Sequence, residues 1–179
     1  MLASIDIGTN SVLLLIAEKK DEELVAVHQE ARIARLGEGV GHTGLLTDGA
    51  QQRAFEILAD YLKICDEHGV LEIKACGTAA LRKARNSKTF VDRVANDLGI
   101  SIDIIPDMRE ASLSFRANAA SFGNNIVVVD IGGGSTEFIT EGQTTSLSLG
   151  VVALTELFLH TDPPTDNELS LIHISEPTR

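Results

Sequence analysis

The sequence has 179 residues, which is enough for one domain of common size and the beginning of a second. Hydrophobic residues make up 44% of the sequence and charged residues 23%, a balance that is typical of globular proteins and excludes wholesale disorder. The formal net charge of −11 excludes a general attraction for nucleic acid or for an anionic membrane surface.

Three strands are predicted at the start of the chain. Residues 2–8 are typical of a buried strand that ends in a polar turn, residues 12–17 of a second apolar strand, and residues 24–33 of a third. A glycine-bearing loop follows. The next apolar residues recur at helical spacing, which predicts a helix that is capped by Thr47 or Asp48 and ends at Gly69.

Strands and helices then alternate. The pattern predicts a strand at residues 71–76, helices at 79–83 and 88–98, a strand at 100–105 and a helix at 108–120. This order mixes hairpins with crossovers, which predicts a mixed five-stranded sheet with helices on both faces. The order is that of an RNase H-like (actin-like ATPase) domain, and we assign residues 1–123 to it.

The pattern restarts after a turn-rich link. Residues 126–129 predict a buried strand that runs into D-I-G-G-G-S at 130–135, and this motif shares the frame D-I-G-x-x-S with D-I-G-T-N-S at 6–11. Two copies in equivalent positions indicate duplicated domains. We expect a second RNase H-like domain to start at residue 124 and to be truncated at 168. Residues 169–179 are typical of adapter or vector read-through, and we exclude them from the fold.

The repeated turns have the chemistry of phosphate loops. Glycine lets backbone N–H groups approach a ligand, and successive N–H groups in a turn form an anion-binding nest. A carboxylate at the end of the strand repels phosphate unless it holds Mg²⁺ or orients a water molecule. A lone D-I-G would indicate only a strand and a turn, but two copies predict that phosphate is handled between two lobes.

Four motifs in order resemble the exopolyphosphatase and guanosine pentaphosphate phosphohydrolase (Ppx/GppA) family of the actin, sugar-kinase and Hsp70 superfamily. They are the two D-I-G motifs, T-A-A-L-R at 78–82 with Asn86, and E-A at 110–111, and the resemblance covers residues 2 to about 168. It implies removal of a terminal phosphate from inorganic polyphosphate or from guanosine pentaphosphate, assisted by Mg²⁺ or another divalent cation.

The resemblance also implies a role for each matching residue. Glu110 corresponds to the glutamate that positions or deprotonates the attacking water, and Arg82 to an arginine that faces the phosphate chain. Asp130 and Glu137 correspond to metal-holding carboxylates, and Asp6 is a further candidate ligand. The phosphate loops are Gly8, Thr9, Asn10 and Ser11 in the first copy and Gly132, Gly133, Gly134, Ser135 and Thr136 in the second.

The chain departs from the family pattern in three ways. Asp107 and Arg109 stand where the family has a glycine and a second acidic residue, which changes the charge beside Glu110. Leu13 stands where relatives often carry a basic residue, which favours linear polyphosphate or another short polyanion over guanosine pentaphosphate. The second lobe is incomplete, so we expect the isolated chain to be a weak hydrolase at best.

Two other functions stay open on the sequence alone. The same loops could serve a phosphate- or nucleotide-sensing module without turnover, or the ATP-binding lobe of a sugar or acetate kinase, although the T-A-A-L-R and E-A motifs argue against a kinase. A homodimer of the full-length protein is also left open.

The cellular compartment is read from what the sequence lacks. No apolar run reaches the roughly 18–20 residues that span a bilayer, and the N-terminus shows no signal peptide. Cys65 and Cys76 are too few for a disulfide framework or a four-ligand metal site, and the five histidines lack metal-ligand spacing. We therefore expect a cytoplasmic protein with reduced thiols and no membrane partner.

Overall fold

A computed structural model describes residues 1–21 and 23–173, which form a five-stranded and a three-stranded sheet. We call residues 1–123 the first lobe and residues 124–173 the second. The elements of the first lobe are β1 (Leu2–Ile7), β2 (Ser11–Lys20), β3 (Glu23–Ile33), α1 (Val40–Thr43), α2 (Asp48–Glu67), β4 (Glu72–Gly77), α3 (Ala79–Lys83), α4 (Ser87–Leu98), β5 (Ile102–Ile104) and α5 (Asp107–Phe122).

The first sheet confirms the predicted mixed topology. Its strand order is β3-β2-β1-β4-β5, in which β1 pairs antiparallel with β2 and parallel with β4. The side chains of β1 alternate: Ile5 and Ile7 are fully buried, whereas Ser4 is exposed. One face of the sheet therefore carries the core, and the other carries Asp6 at the carboxyl end of β1.

Helices α2 and α4 cover the buried face. Helix α2 begins after Thr47, as predicted, and the Thr47 hydroxyl accepts a hydrogen bond from the Ala50 N–H at 3.2 Å. Tyr61 on α2 is fully buried and donates its hydroxyl to the Val12 carbonyl at 2.9 Å, which ties the helix to β2. The largest fully buried side chains of this core include Ile5, Ile7, Ile16, Leu58, Tyr61, Leu81, Phe90 and Val94.

The opposite face meets the first turn of α5. Burial raises the pKa of Asp6 and of Cys76, and the negative charge of Glu110, in that turn, raises both further. Cys76 on β4 is the register partner of Asp6 on β1. Helix α5 therefore brings Glu110 to the end of the first sheet where the first D-I-G motif lies, whereas Leu13 and Leu15 on the same face are exposed.

The second lobe contains three strands. They are β6 (Val128–Ile131), β7 (Thr136–Thr140) and β8 (Gln143–Leu147), followed by α6 (Val151–Phe158) and α7 (Asp166–His173). Adjacent strands are antiparallel, and a small core of Ala111, Phe115 and Ile139 joins this sheet to α5. Residues 169–173, which we expected to be non-native, continue α7, and residues 174–179 of that tail lie outside the described residues.

Two local features differ from the sequence-based expectations. The glycine-bearing loop contains α1, a four-residue helix flanked by Gly39 and Gly44 in left-handed conformation at φ 73° and 69°. So short a helix leaves no periodic pattern to detect. Strand β5 is also shorter than predicted, at Ile102–Ile104.

No helix in the described ranges combines the length and apolar character needed to span a membrane.

Candidate active site

The two D-I-G-x-x-S motifs form the same turn. In the first, the Gly8 N–H donates to the Ser11 carbonyl at 2.9 Å, and in the second the Gly132 N–H donates to the Ser135 carbonyl at 2.9 Å. Each turn joins two antiparallel strands of its own sheet, β1 to β2 and β6 to β7. The repeat in the sequence is therefore a repeat in structure, with one copy in each lobe.

The two turns lie against each other. A Cβ added to Gly133 would stand 3.1 Å from Cβ of Thr9, and one added to Gly150 would stand 2.4 Å from the carbonyl carbon and oxygen of Gly133. The N–H groups of Val152 and Ala153 at the start of α6 donate to the Gly133 carbonyl at 2.8 and 3.1 Å. Thr9 and α6 therefore contact the second turn from two sides. The backbones of Gly133 and Gly150 approach so closely that a side chain at position 150 would not fit.

A cavity of about 370 Å³ lies between the turns, and we call it the catalytic cavity. It brings together most of the site residues that the sequence predicts: Asp6, Gly8, Thr9, Asn10, Ser11, Glu110, Asp130, Gly132, Gly133, Gly134, Ser135 and Glu137. Leu13 and Thr78 line it as well, and no lysine or arginine of the described chain does. The cavity thus combines two glycine turns with four carboxylates.

Two predicted site residues lie outside this lining. The Thr136 hydroxyl donates to the Leu149 carbonyl at 2.5 Å, so it is engaged in the second lobe. Arg82 points to α5, where its Nη1 donates to Oε2 of Glu110 at 2.7 Å and to the Ile105 carbonyl at 2.8 Å. Its role as a residue that faces the phosphate chain stays a prediction.

The residues that depart from the family pattern have partners near Glu110. Asp107 forms an ion pair with Nη2 of Arg82, so this arginine is shared between two carboxylates of α5. Arg109 pairs with Asp103 at 2.9 Å, and both side chains are well exposed. The positive charge of Arg109 is thereby matched by Asp103 outside the cavity.

Burial raises the pKa of three carboxyl groups in the cavity. The pKa of Asp6 is raised to about 6, first by burial and then by the negative charge of Glu110. Burial also raises the pKa of Glu110 against the opposing effect of Arg82, and the pKa of Asp130, with a further contribution from Glu137. Such a cluster is unfavourable in its charged form unless a cation accompanies it.

The carboxylates of β6 and β7 fit a Mg²⁺ ion. Asp130 and Glu137 are register partners on adjacent strands, so their side chains lie on the same face of the sheet. Within the described residues, no three side chains of His, Cys, Asp or Glu form a preassembled metal group. Mg²⁺ commonly uses only one or two carboxylates and completes its octahedron with water and phosphate oxygens, so the pair suffices chemically.

Sequence reasoning missed two residues that contact the site. Cys76, for which the sequence suggested no role, is a free, half-buried thiol whose Sγ lies 3.8 Å from Oδ1 of Asp6. The parallel register of β1 and β4, which creates this contact, has no signal in the local sequence. Gly150 was noted only as a turn residue, and its contact with Gly133 becomes visible in the folded chain.

A comparison with protein families assigns the chain. The model of the Ppx/GppA phosphatase family matches residues 15–174. The chain belongs to this family. One relative is Exopolyphosphatase 2 of Mycobacterium tuberculosis, which is 38% identical over 94% of this chain and 58% of that protein. Another is guanosine-5'-triphosphate,3'-diphosphate pyrophosphatase of Aliivibrio fischeri, which is 33% identical over 87% of this chain and 33% of that protein. The chain spans 58% or less of the length of these relatives.

Solved Ppx/GppA structures share the fold. The Aquifex aeolicus family member superposes with a TM-score of 0.74 at 37% identity, covering 95% of this chain and 58% of that one. An exopolyphosphatase from Cytophaga hutchinsonii gives a TM-score of 0.84 at 30% identity, covering 97% of this chain and 58% of that one. Together with the sheet order, these likenesses confirm the RNase H-like, actin-like ATPase fold.

Proposed function

We propose that this chain carries the catalytic cavity of a phosphohydrolase that releases terminal phosphate from inorganic polyphosphate in the cytoplasm. The observation that carries this proposal is the cavity where two equivalent glycine turns meet beside Glu110. Relatives named as exopolyphosphatase and as a pyrophosphatase of a guanosine polyphosphate support the reaction type. Guanosine pentaphosphate is the second candidate substrate, and Leu13 in the cavity lining disfavours it.

The glycine turns bind phosphoryl oxygens through their backbone. The N–H groups of Thr9, Asn10, Gly133 and Gly134 donate to no acceptor within the described chain, so they are available to an anion. The hydroxyl groups of Ser11 and Ser135, which line the same cavity, add two further donors. These donors stabilise the charge that spreads over the phosphoryl oxygens during transfer without requiring cationic side chains in the lining.

Glu110 acts as the base toward water. Its carboxylate lies in the catalytic cavity, and burial raises its pKa, which makes it a better proton acceptor than an exposed glutamate. Arg82 fixes the orientation of the carboxylate through Oε2 and leaves Oε1 for the water. Proton transfer to Glu110 then accompanies attack of the water on the terminal phosphorus. The bond from that phosphorus to the bridging oxygen breaks, and orthophosphate and the shortened polyphosphate anion leave.

Asp130 and Glu137 would hold the divalent cation, and Asp6 lines the same cavity from the first lobe. When bound, Mg²⁺ supplies positive charge that offsets the carboxylates and the phosphoryl oxygens. The two carboxylates also keep the phosphate end away from the sheet in the absence of a cation, because like charges repel.

Phosphate release from polyphosphate with Mg²⁺ tests the proposal. Glu110→Gln should lower turnover by about 10²–10⁴-fold and keep polyphosphate binding, because the amide retains the shape but accepts no proton. Glu67→Gln, an exposed glutamate of α2, is the matched control and should behave as wild type. If Glu110→Gln binds polyphosphate and releases phosphate as wild type does, Glu110 has no part in turnover and the sensor alternative replaces the hydrolase.

A further inference from the structure

A second cavity of about 180 Å³ adjoins the catalytic cavity. Thr9, Ala79, Gly133 and Gly134 line both, so they form a rim common to the two. The rest of the second lining is mostly small or apolar and comes from the loop at residues 37–42 and from helices α3 and α6. Lys83, the last residue of α3, stands in this lining.

The ammonium group of Lys83 lies beside the second glycine turn. Its Nζ is 3.8 Å from the position that a Cβ on Gly134 would occupy, and the Thr9 hydroxyl oxygen is 3.6 Å from the same position. Gly134 has no side chain, so this small space stays open at the rim. An ammonium group, a hydroxyl group and a glycine turn with a free N–H therefore converge on one space.

In the part of the chain that the structure describes, no carboxylate pairs with Lys83. Within residues 1–21 and 23–173 it forms no ion pair, whereas the adjacent Arg82 is held by Asp107 and Glu110. Glu156 lines the same cavity, but its Oε1 accepts a hydrogen bond from the Gly39 N–H at 2.9 Å. Beside four carboxylates and in a chain of net charge −11, this cation is a local site for an anion.

We propose that Lys83 binds the phosphoryl group that follows the reacting one in a linear polyphosphate. This inference rests on the proposed function, which puts the reacting group in the catalytic cavity. Since no lysine or arginine of the described residues lines that cavity, the next group meets its first cation beside the rim, in the second cavity. Lys83 and Thr9 donate to its oxygens there, and the site selects chains of several phosphoryl groups over orthophosphate.

Calorimetric titration of the 179-residue chain with tripolyphosphate and with orthophosphate, each with Mg²⁺, tests the inference. Lys83→Gln should weaken tripolyphosphate binding about ten-fold or more, because a charge-assisted hydrogen bond is lost, and should leave orthophosphate binding unchanged. Lys83→Arg keeps the charge and should restore tripolyphosphate affinity to within about three-fold of wild type. Lys83 is exposed, so neither substitution should change the melting temperature.

Lys74→Gln is the matched control, since Lys74 is an exposed lysine on β4 that pairs with Glu72 and lines neither cavity. It should bind both anions as wild type does. Equal tripolyphosphate affinity of wild type and Lys83→Gln would overturn the inference alone. An equal loss of both anions in Lys83→Gln would overturn it too, because the effect would then not depend on the second phosphoryl group. A wild-type chain that binds no tripolyphosphate would overturn the proposed function itself.

Discussion

The guanidinium group of Arg82 holds the carboxylate of Glu110, with Nη1 2.7 Å from Oε2. The two residues are 28 positions apart, on α3 and α5, and the Arg82 side chain is 20% exposed. The pair therefore fixes the position of Glu110, the proposed base, at the end of the first sheet that carries Asp6. It also sets the protonation of that base, because Arg82 lowers a pKa that burial raises.

Arg82→Gln should reduce phosphate release and shift its pH dependence. Without the guanidinium, the pKa of Glu110 rises further above its ordinary value, so the base is protonated at a higher pH. The acid limb of the pH–rate profile should therefore move to higher pH, with a loss of about 10–100-fold at neutral pH. Steady-state rates between pH 5 and pH 9 measure both effects.

Arg116→Gln serves as the control for this experiment, since Arg116 is an exposed arginine on the same helix as Glu110. It should leave the profile unchanged. An Arg82→Gln variant with a wild-type acid limb would show that the pair does not govern the proton acceptor.

Asp6→Asn should stabilise the chain in the absence of divalent cations. The pKa of Asp6 is raised from 3.8 to about 6, so the folded state binds the proton more tightly than the unfolded state. A shift of this size corresponds to about 3 kcal/mol of destabilisation above pH 6, which fades as the pH falls through 6 toward 3.8. Asp6→Asn has no ionisable group at this position, so it avoids this destabilisation at every pH.

Denaturant unfolding in EDTA at pH 8 and at pH 5 measures the difference. The advantage of Asp6→Asn over wild type should be large at pH 8 and smaller at pH 5. Asp66→Asn replaces an exposed carboxylate whose side chain makes no described hydrogen bond or ion pair, and it should show no such dependence. A variant that is less stable than wild type at pH 8 would contradict the prediction.

Mg²⁺ should raise the melting temperature of wild type and have a smaller effect on Asp130→Asn and Glu137→Gln. Ligands that bind only the folded state stabilise it by mass action, and each variant removes one of the two adjacent carboxylates. A thermal-shift titration with Mg²⁺ provides the measurement. Glu141→Gln, in the exposed turn between β7 and β8, should respond as wild type does, and equal shifts in all four proteins would remove these residues from the metal site.

Gly150→Ala should destabilise the second lobe and weaken polyphosphate binding. Its backbone angles, φ −111° and ψ 161°, suit alanine, but the methyl group would meet the Gly133 carbonyl at 2.4 Å. Helix α6 must then move away from the second turn, with a loss of about 1–3 kcal/mol. Chemical denaturation measures the loss of stability, and titration with tripolyphosphate measures the weakening of binding.

Gly49→Ala is the control for Gly150→Ala. Gly49 lies in the first turn of α2, and its added methyl group would stand 3.6 Å from Nη1 of Arg53, an ordinary contact distance. There alanine should be neutral or stabilising, since it favours the helix over the unfolded chain. Similar losses in both variants would mean that the contact with Gly133 is not the cause.

The sequence by itself determined the features that depend on neighbouring residues. Alternating and helical patterns predict the order of strands and helices, because burial of one face selects the period of the apolar residues. The two D-I-G-x-x-S turns are equally local, since the hydrogen bond from the glycine N–H to the serine carbonyl closes within four residues.

Only the tertiary structure decided which side chains meet in the site. Sheet register brings Cys76 beside Asp6 across 70 positions, and the path of α5 turns Arg82 toward Glu110 rather than into the catalytic cavity. The same fold leaves Lys83, one residue further along, in the lining of the second cavity, beside the glycine turn that lines both cavities. Neighbouring cations in the sequence thus receive different partners, because a side chain's partners are fixed by the packing of distant elements and not by its own segment.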